Sequence, residues 1–320
     1  MTVMAEGSAL YAGRNQIAAD AAKQVIDGGA FTLHPNYAQL FSYAGEGSKE
    51  IIFARNYAKT AQATGQNNNI FGEFGPPTNS AAGHVVPIRN LVDAYQMTDG
   101  KAPSASPLYD PAWDKMYNNR DPRLAATILY PGASWDGGTF DSRPVGLSSK
   151  PEAINLGNEN DSVTGYNIRK YVDLTDKADR GNGGIDVILM RYADVLLMYA
   201  EAKVALGQAD ASALAAVNQV RARVSMPQLT ALTEADVRYE RRVELAFEGL
   251  RLFDIRRWKI ADKVMPAPAV TGIDYVTAAG ARVTAAQPAS ARAFPARAYL
   301  WPIPQAELDL NPNLKQNPGF

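Results

Sequence analysis

Trp135 lies in the run Gly132-Ala133-Ser134-Trp135-Asp136-Gly137-Gly138. Such turn-rich sequence displays a large ring with little side-chain bulk around it. An aromatic face of this kind can stack on the apolar face of a pyranose, while amide and charged neighbours hydrogen-bond its hydroxyl groups. Tyr109 and Trp113 lie between prolines, and Phe74 has Asn67, Asn68, Asn69 and Asn79 close by as hydroxyl partners. An aromatic exposed in a loop carries functional information that a core aromatic does not. Trp135, Tyr109, Trp113, Phe74 and Asn79 are therefore the candidate ligand contacts. The competing reading of each ring is that it folds back and covers the layer beneath it.

Other chemistries find less support. The chain has no cysteine, hence no disulfide, thiolate metal site or cysteine nucleophile. Its two histidines, His34 and His84, show no ligand spacing, and a lone loop histidine is usually a surface polar group. No phosphate-binding glycine loop, nucleophile elbow or zinc-protease motif occurs. Residues 155–161, Asn-Leu-Gly-Asn-Glu-Asn-Asp, offer oxygen ligands without the order of an EF-hand and read as a polar surface loop. Carboxylates are plentiful, but no spacing marks a glycosidase pair. No metal or cofactor is expected. A net charge of −1 gives no electrostatic case for nucleic acid or an anionic membrane surface.

These residues must be held by a scaffold, and 46% hydrophobic with 20% charged residues over 320 positions is enough for a real core. The pattern predicts helices over 5–12 and 15–27, a strand at 50–57 and a short helix at 87–95. Residues 121–129 read as helix or strand, and a strand is expected at 166–172. The strongest helix spans 187–206, with charges that argue against a membrane span. Asp210 caps a helix over 211–224, and Thr233 with Asp236 caps a long helix running to Trp258. On that last helix Val243, Ala246, Phe247, Leu250 and Phe253 form one apolar stripe, and Leu245, Leu252 and Ile255 a second. Packed on both sides, it must pair its charges; Glu248–Arg251 and Asp254–Arg257 have the spacing to do so. The tail from 266 reads as irregular, with a short helix near 305–309.

Arg241–Trp258, RRVELAFEGLRLFDIRRW, resembles the C-terminal signature of the SusD/RagB-like proteins, cell-surface glycan-binding lipoproteins. Residues 91–100, 119–135, 190–207, 217–224 and 299–320 resemble the family in the same order. The resemblance implies a mainly α fold, with a tetratricopeptide-like helical scaffold (about 1–30 and 186–263) carrying a loop-rich ligand layer with short strands (about 60–185 and 265–300). All of it forms one domain, 1–320. It suggests strand for Ala126–Tyr130 and core positions for Trp258 and Trp301. It further implies a C-terminal portion of a longer protein, without catalysis, held at the outer face of the outer membrane by a lipid anchor that this chain lacks. The implied partners are an oligosaccharide and a SusC-type TonB-dependent transporter. Two other readings stay open: a helical-repeat module that binds protein through a concave helix face, and a glycan-degrading enzyme.

Overall fold

The computed structural model describes residues 13–59, 65–76, 81–143, 162–277 and 279–320. The expected helix at 5–12, Asn79 and the polar run at 155–161 lie outside them. α1 (Arg14–Asp27) turns its small residues Ala18, Ala19 and Ala22 inward. After it, a 3₁₀ turn (Gln39–Phe41) breaks an extended connector. β1 (Ile51–Arg55), α2 (Ile70–Phe74) and α3 (Arg89–Ala94) follow. Residues 121–129 are both helix and strand: α4 (Pro122–Thr127) runs straight into β2 (Ile128–Leu129). Next come β3 (Ser134–Trp135), β4 (Gly138–Thr139) and β5 (Asn167–Ile168), the last much shorter than the run expected at 166–172.

The segment expected as one helix over 187–206 divides into β6 (Val187–Arg191) and α5 (Tyr192–Ala205). Val187 and Ile188 pair antiparallel with β1, and a β-branched start suits a strand. α6 (Ala211–Arg223) is capped by Asp210, which accepts from Ser212 N and Ala213 N. α7 (Glu234–Glu244) carries the expected capping box of Thr233 and Asp236. It does not continue to Trp258. Phe247 and Gly249 take positive φ, 63° and 80°, which ends the helix, and α8 (Arg251–Arg257) starts afresh. α9 (Ala261–Val264) leads to β7 (Ala267–Val276) and β8 (Arg282–Arg292), a hairpin where an irregular tail was expected. Tyr275, Val276, Val283 and Thr284 supply its β-forming residues. α10 (Gln305–Leu310) closes the chain.

α1, α5, α6 and α7 enclose one apolar core, with Leu196, Leu197, Val217, Val220 and Val237 fully buried. Among the described residues the strands form four two-stranded antiparallel ribbons, β1–β6, β2–β5, β3–β4 and β7–β8. The β7–β8 hairpin docks through Ile273, whose N–H donates to Thr164 O at 2.8 Å. Glycine is required at 272, because a Cβ there would lie 1.9 Å from that same oxygen.

Where α7 stops, the fold is joined by charge. Arg123, Arg191, Arg221, Arg223 and Lys170 face Glu50, Asp121, Glu240, Glu244 and Glu248, five cations against five carboxylates, all buried or nearly so. Glu244 is the hub. It accepts from Arg191 at 2.6 Å, from Arg123 at 3.0 Å and from Arg223. The carbonyls freed by the end of α7 are used as well: Glu244 O accepts from Arg191, Lys170 and Tyr37, and Ala246 O from Lys170. Cations at a helix C-terminus satisfy both its orphan carbonyls and its dipole. A second cluster joins Arg241 to Asp194 and Asp254, and Arg257 to Asp254 and Glu201. Of the pairs expected within 241–258, Asp254–Arg257 forms, but Glu248 takes Arg191 and Lys170 rather than Arg251. Among the described residues Arg242 and Arg256 bond Asn90 and Tyr299 O instead of a carboxylate, and Arg251 lies over Trp258.

Candidate functional site

β3 and β4 form a two-residue hairpin across Asp136 and Gly137, which both have positive φ. The hairpin does not display Trp135 openly, as the turn-rich sequence suggests. The ring folds back into a cluster with Phe71, Leu129, Phe140 and Val172 and stays 8% exposed. Phe74, half-buried, packs on the same cluster, so the structure brings these two candidates together. Tyr109 lies elsewhere, against the cluster of Val92, Tyr95 and Met116. Trp113 is half-buried with the Arg143 guanidinium 4.4 Å from its ring centre. The amides of Asn67, Asn68 and Asn69, expected as hydroxyl partners, already hold protein groups. They donate to Gly181 O, Ile185 O and Glu73.

Trp301 overturns its expected core position. It is 64% exposed, with the Arg256 guanidinium 4.4 Å from its ring centre. Trp258 is half-buried and donates its indole N–H to Glu201 at 2.7 Å.

Part of Trp135 still lines a hollow of about 470 Å³. Its wall also holds Asn36, Gln39, Asp136, Arg169 and Asp173. Asn36, Ala38 and Ala126 line a second hollow of about 350 Å³ as well, which continues to Tyr37, Arg223 and Ser225. Sharing these three residues, the two hollows adjoin as one groove. It lies between the connector after α1, the start of α4 and the β3–β4 hairpin.

The groove is polar in a specific way. Asp136 accepts from Lys177 at 2.5 Å. Asp173 accepts from Thr175 N, Thr175 Oγ1 and Tyr43 N. Lys170 touches the groove but belongs to the buried network, where it donates to Glu248 at 2.5 Å. Burial pulls its ammonium down to about 8 against the opposing pull of Glu248. Arg169, next in sequence, lies over Trp135 with its guanidinium 5.9 Å from the ring centre. Its side chain donates to Ala125 O at 3.2 Å, and burial lowers its pKa. Arg169, Asn36 and Gln39 escaped sequence reasoning. A signal existed for the first: in the strand expected at 166–172, the adjacent bases Arg169 and Lys170 would point to opposite sides.

A helical scaffold bearing loops and ribbons with a polar groove defines the class, and the comparisons specify it. A sequence model of the SusD family matches residues 49–320, and this chain belongs to that family. Among curated relatives, SusD-like protein P2 of Formosa agariphila is 35% identical over 177 residues, covering 50% of this chain and 31% of its own length. SusD-like protein P38 of the same organism is 28% identical over 281 residues, covering 80% and 51%. The chain thus spans about a third to a half of these relatives. The crystal structure of a SusD-like carbohydrate binding protein from Bacteroides fragilis superposes with a TM-score of 0.77 at 28% identity, over 96% of this chain and 66% of that one. A second SusD-like protein of that organism gives 0.75 at 26%, over 96% and 62%. The mainly α fold is that of these structures. No helix among the described residues is long and apolar enough to cross a membrane.

Proposed function

We propose that the chain binds an oligosaccharide in the groove beside Trp135 and performs no chemistry on it. The observation that carries this reading is the conjunction of aromatic edges from Phe41, Trp135 and Tyr171 with the amides of Asn36 and Gln39 and the guanidinium of Arg169 in one hollow. Linked sugar rings need an apolar face to stack on and polar groups at its rim, and family membership points the same way. Asp136 and Asp173 serve the structure of the wall itself, each accepting hydrogen bonds from it. The candidate groups lie in this loop layer rather than on a concave helix face, which favours sugar over a protein ligand. By the same family membership, the whole protein would work at the outer face of the outer membrane and pass its ligand to a SusC-type TonB-dependent transporter. Co-purification of the two from outer membranes checks that step; a transporter-free preparation speaks against it.

A blocking substitution tests the groove itself. Ala38 is exposed and lines both hollows. Ala38→Trp is expected to abolish glycan binding in isothermal titration while leaving the melting temperature within a few degrees of the parent. Unchanged binding in Ala38→Trp would remove the groove as the site. Trp135→Ala is a poorer probe, because truncating a buried aromatic costs about 3–5 kcal/mol of stability.

A further inference from the structure

We propose that the groove is built for an acidic glycan, with the carboxylate or sulfate ester of one sugar unit seated on Arg169; this rests on the glycan-binding reading above. The inference comes from charge bookkeeping around the groove. The arginines of the buried network each face at least one carboxylate. Arg120, which has no carboxylate partner among the described residues, uses its fork on Tyr95 O, Met116 O and Val92 O. Arg169 has neither arrangement. Among the described residues its side chain makes one hydrogen bond, to Ala125 O, and faces the Trp135 ring.

The nearby acids do not pair with it. Asp136 is engaged by Lys177, and Asp173 accepts from the neutral donors of Thr175 and Tyr43. The neighbouring cation, Lys170, is matched by Glu248 inside the network and adds no counter-ion demand to the groove. A half-buried guanidinium without an anion has lost part of its hydration and gained little in return. Its fork matches the two oxygens of a carboxylate or sulfate in geometry. The exposed edge of the indole beside it would touch the ring of the same sugar. That contact orients the ring, and the fork then selects the substituent.

The test is a titration of the chain with matched acidic and neutral oligosaccharides: tetragalacturonate against its methyl ester, and sulfated against desulfated galactan fragments. Laminarin, starch, xylan and mannan oligomers extend the neutral set, and alginate and glucuronan oligomers the acidic set. Binding is expected for acidic members, from one or both sources of the anion, and to weaken with added salt. Arg169→Gln should weaken it about tenfold or more, the scale of a lost charge-assisted hydrogen bond. Arg169→Lys, which keeps the charge but not the fork, should recover part of that loss, and unchanged melting would separate the effect from unfolding. Neutral members bound as well as acidic ones, or an Arg169→Gln variant that binds acidic members normally, would overturn the inference and leave glycan binding intact. A folded chain that binds no glycan of either set overturns both.

Discussion

Glu244→Gln is expected to destabilise the chain by about 3–5 kcal/mol, the range for removing one partner from a buried ion pair. The substitution keeps the shape and deletes the charge. Arg191, Arg123 and Arg223 then share a buried site with one carboxylate too few. A domain has about 5–15 kcal/mol in total, so the variant should sit near the limit of folding at 37 °C. Urea denaturation of parent and variant measures the difference. Adding Arg223→Gln should return part of the loss, since it removes the surplus charge, although Glu50 then loses a partner. A cost below about 1 kcal/mol would mean that water reaches the network and screens it, the regime of surface pairs.

Acid is expected to act through the same carboxylates. Burial alone would raise the Glu244 pKa, but Arg223, Arg191 and Arg123 hold it well below the usual value. Burial likewise opposes, and Arg191 with Lys170 overrides, in lowering Glu248. At Glu201, burial is outweighed by Arg257 and Arg241. Groups with depressed native pKa values contribute stability that is fully present above their unfolded values, about 4.3 for glutamate. Below that pH the unfolded chain takes up protons that the native chain refuses, so stability falls as the pH drops towards the native values. On these groups alone, urea midpoints should be level between pH 7 and about 5 and fall steeply below about 4.5. A midpoint that held steady to pH 3 would contradict the buried network.

How much of this was legible depends on which residues carried it. Caps are local, so Asp210 and Thr233 announced α6 and α7 correctly. The need for charge pairing on 241–258 followed from its apolar stripes, and the local pair Asp254–Arg257 followed from its spacing, but the distant partners did not. Lys170, Arg191 and Arg123 lie far away in sequence, and nothing local connects them to Glu248 or Glu244. The same distance hid the end of α7. A helical period runs smoothly through Phe247, with Gly249 the one local stop signal, and the cations waiting at Glu244 O and Ala246 O add to what makes stopping there favourable. Trp135 and Trp301 exchanged expectations because periodicity and turn content report the backbone, not which way a ring falls. The former found Phe71 and Phe140 beneath it, while the latter lies open beside Arg256. The groove was legible only in part, since Arg169 and Gln39 acquire meaning from neighbours that folding alone brings near.

The hub would also constrain the order in which this chain acquires its shape. Arg123 reaches Glu244 across 121 positions, Arg191 reaches Glu50 across 141, and Arg223 reaches Glu50 across 173. Loops of that length must close before any contact rewards them. A half-assembled hub would leave dehydrated charges facing nothing, so early intermediates should keep these side chains wet and form the helical core first. The ionic centre would then lock last, in one step. Folding would be slow compared with a helical bundle of equal size, and the final step would hold connector, groove wall and helices in register together.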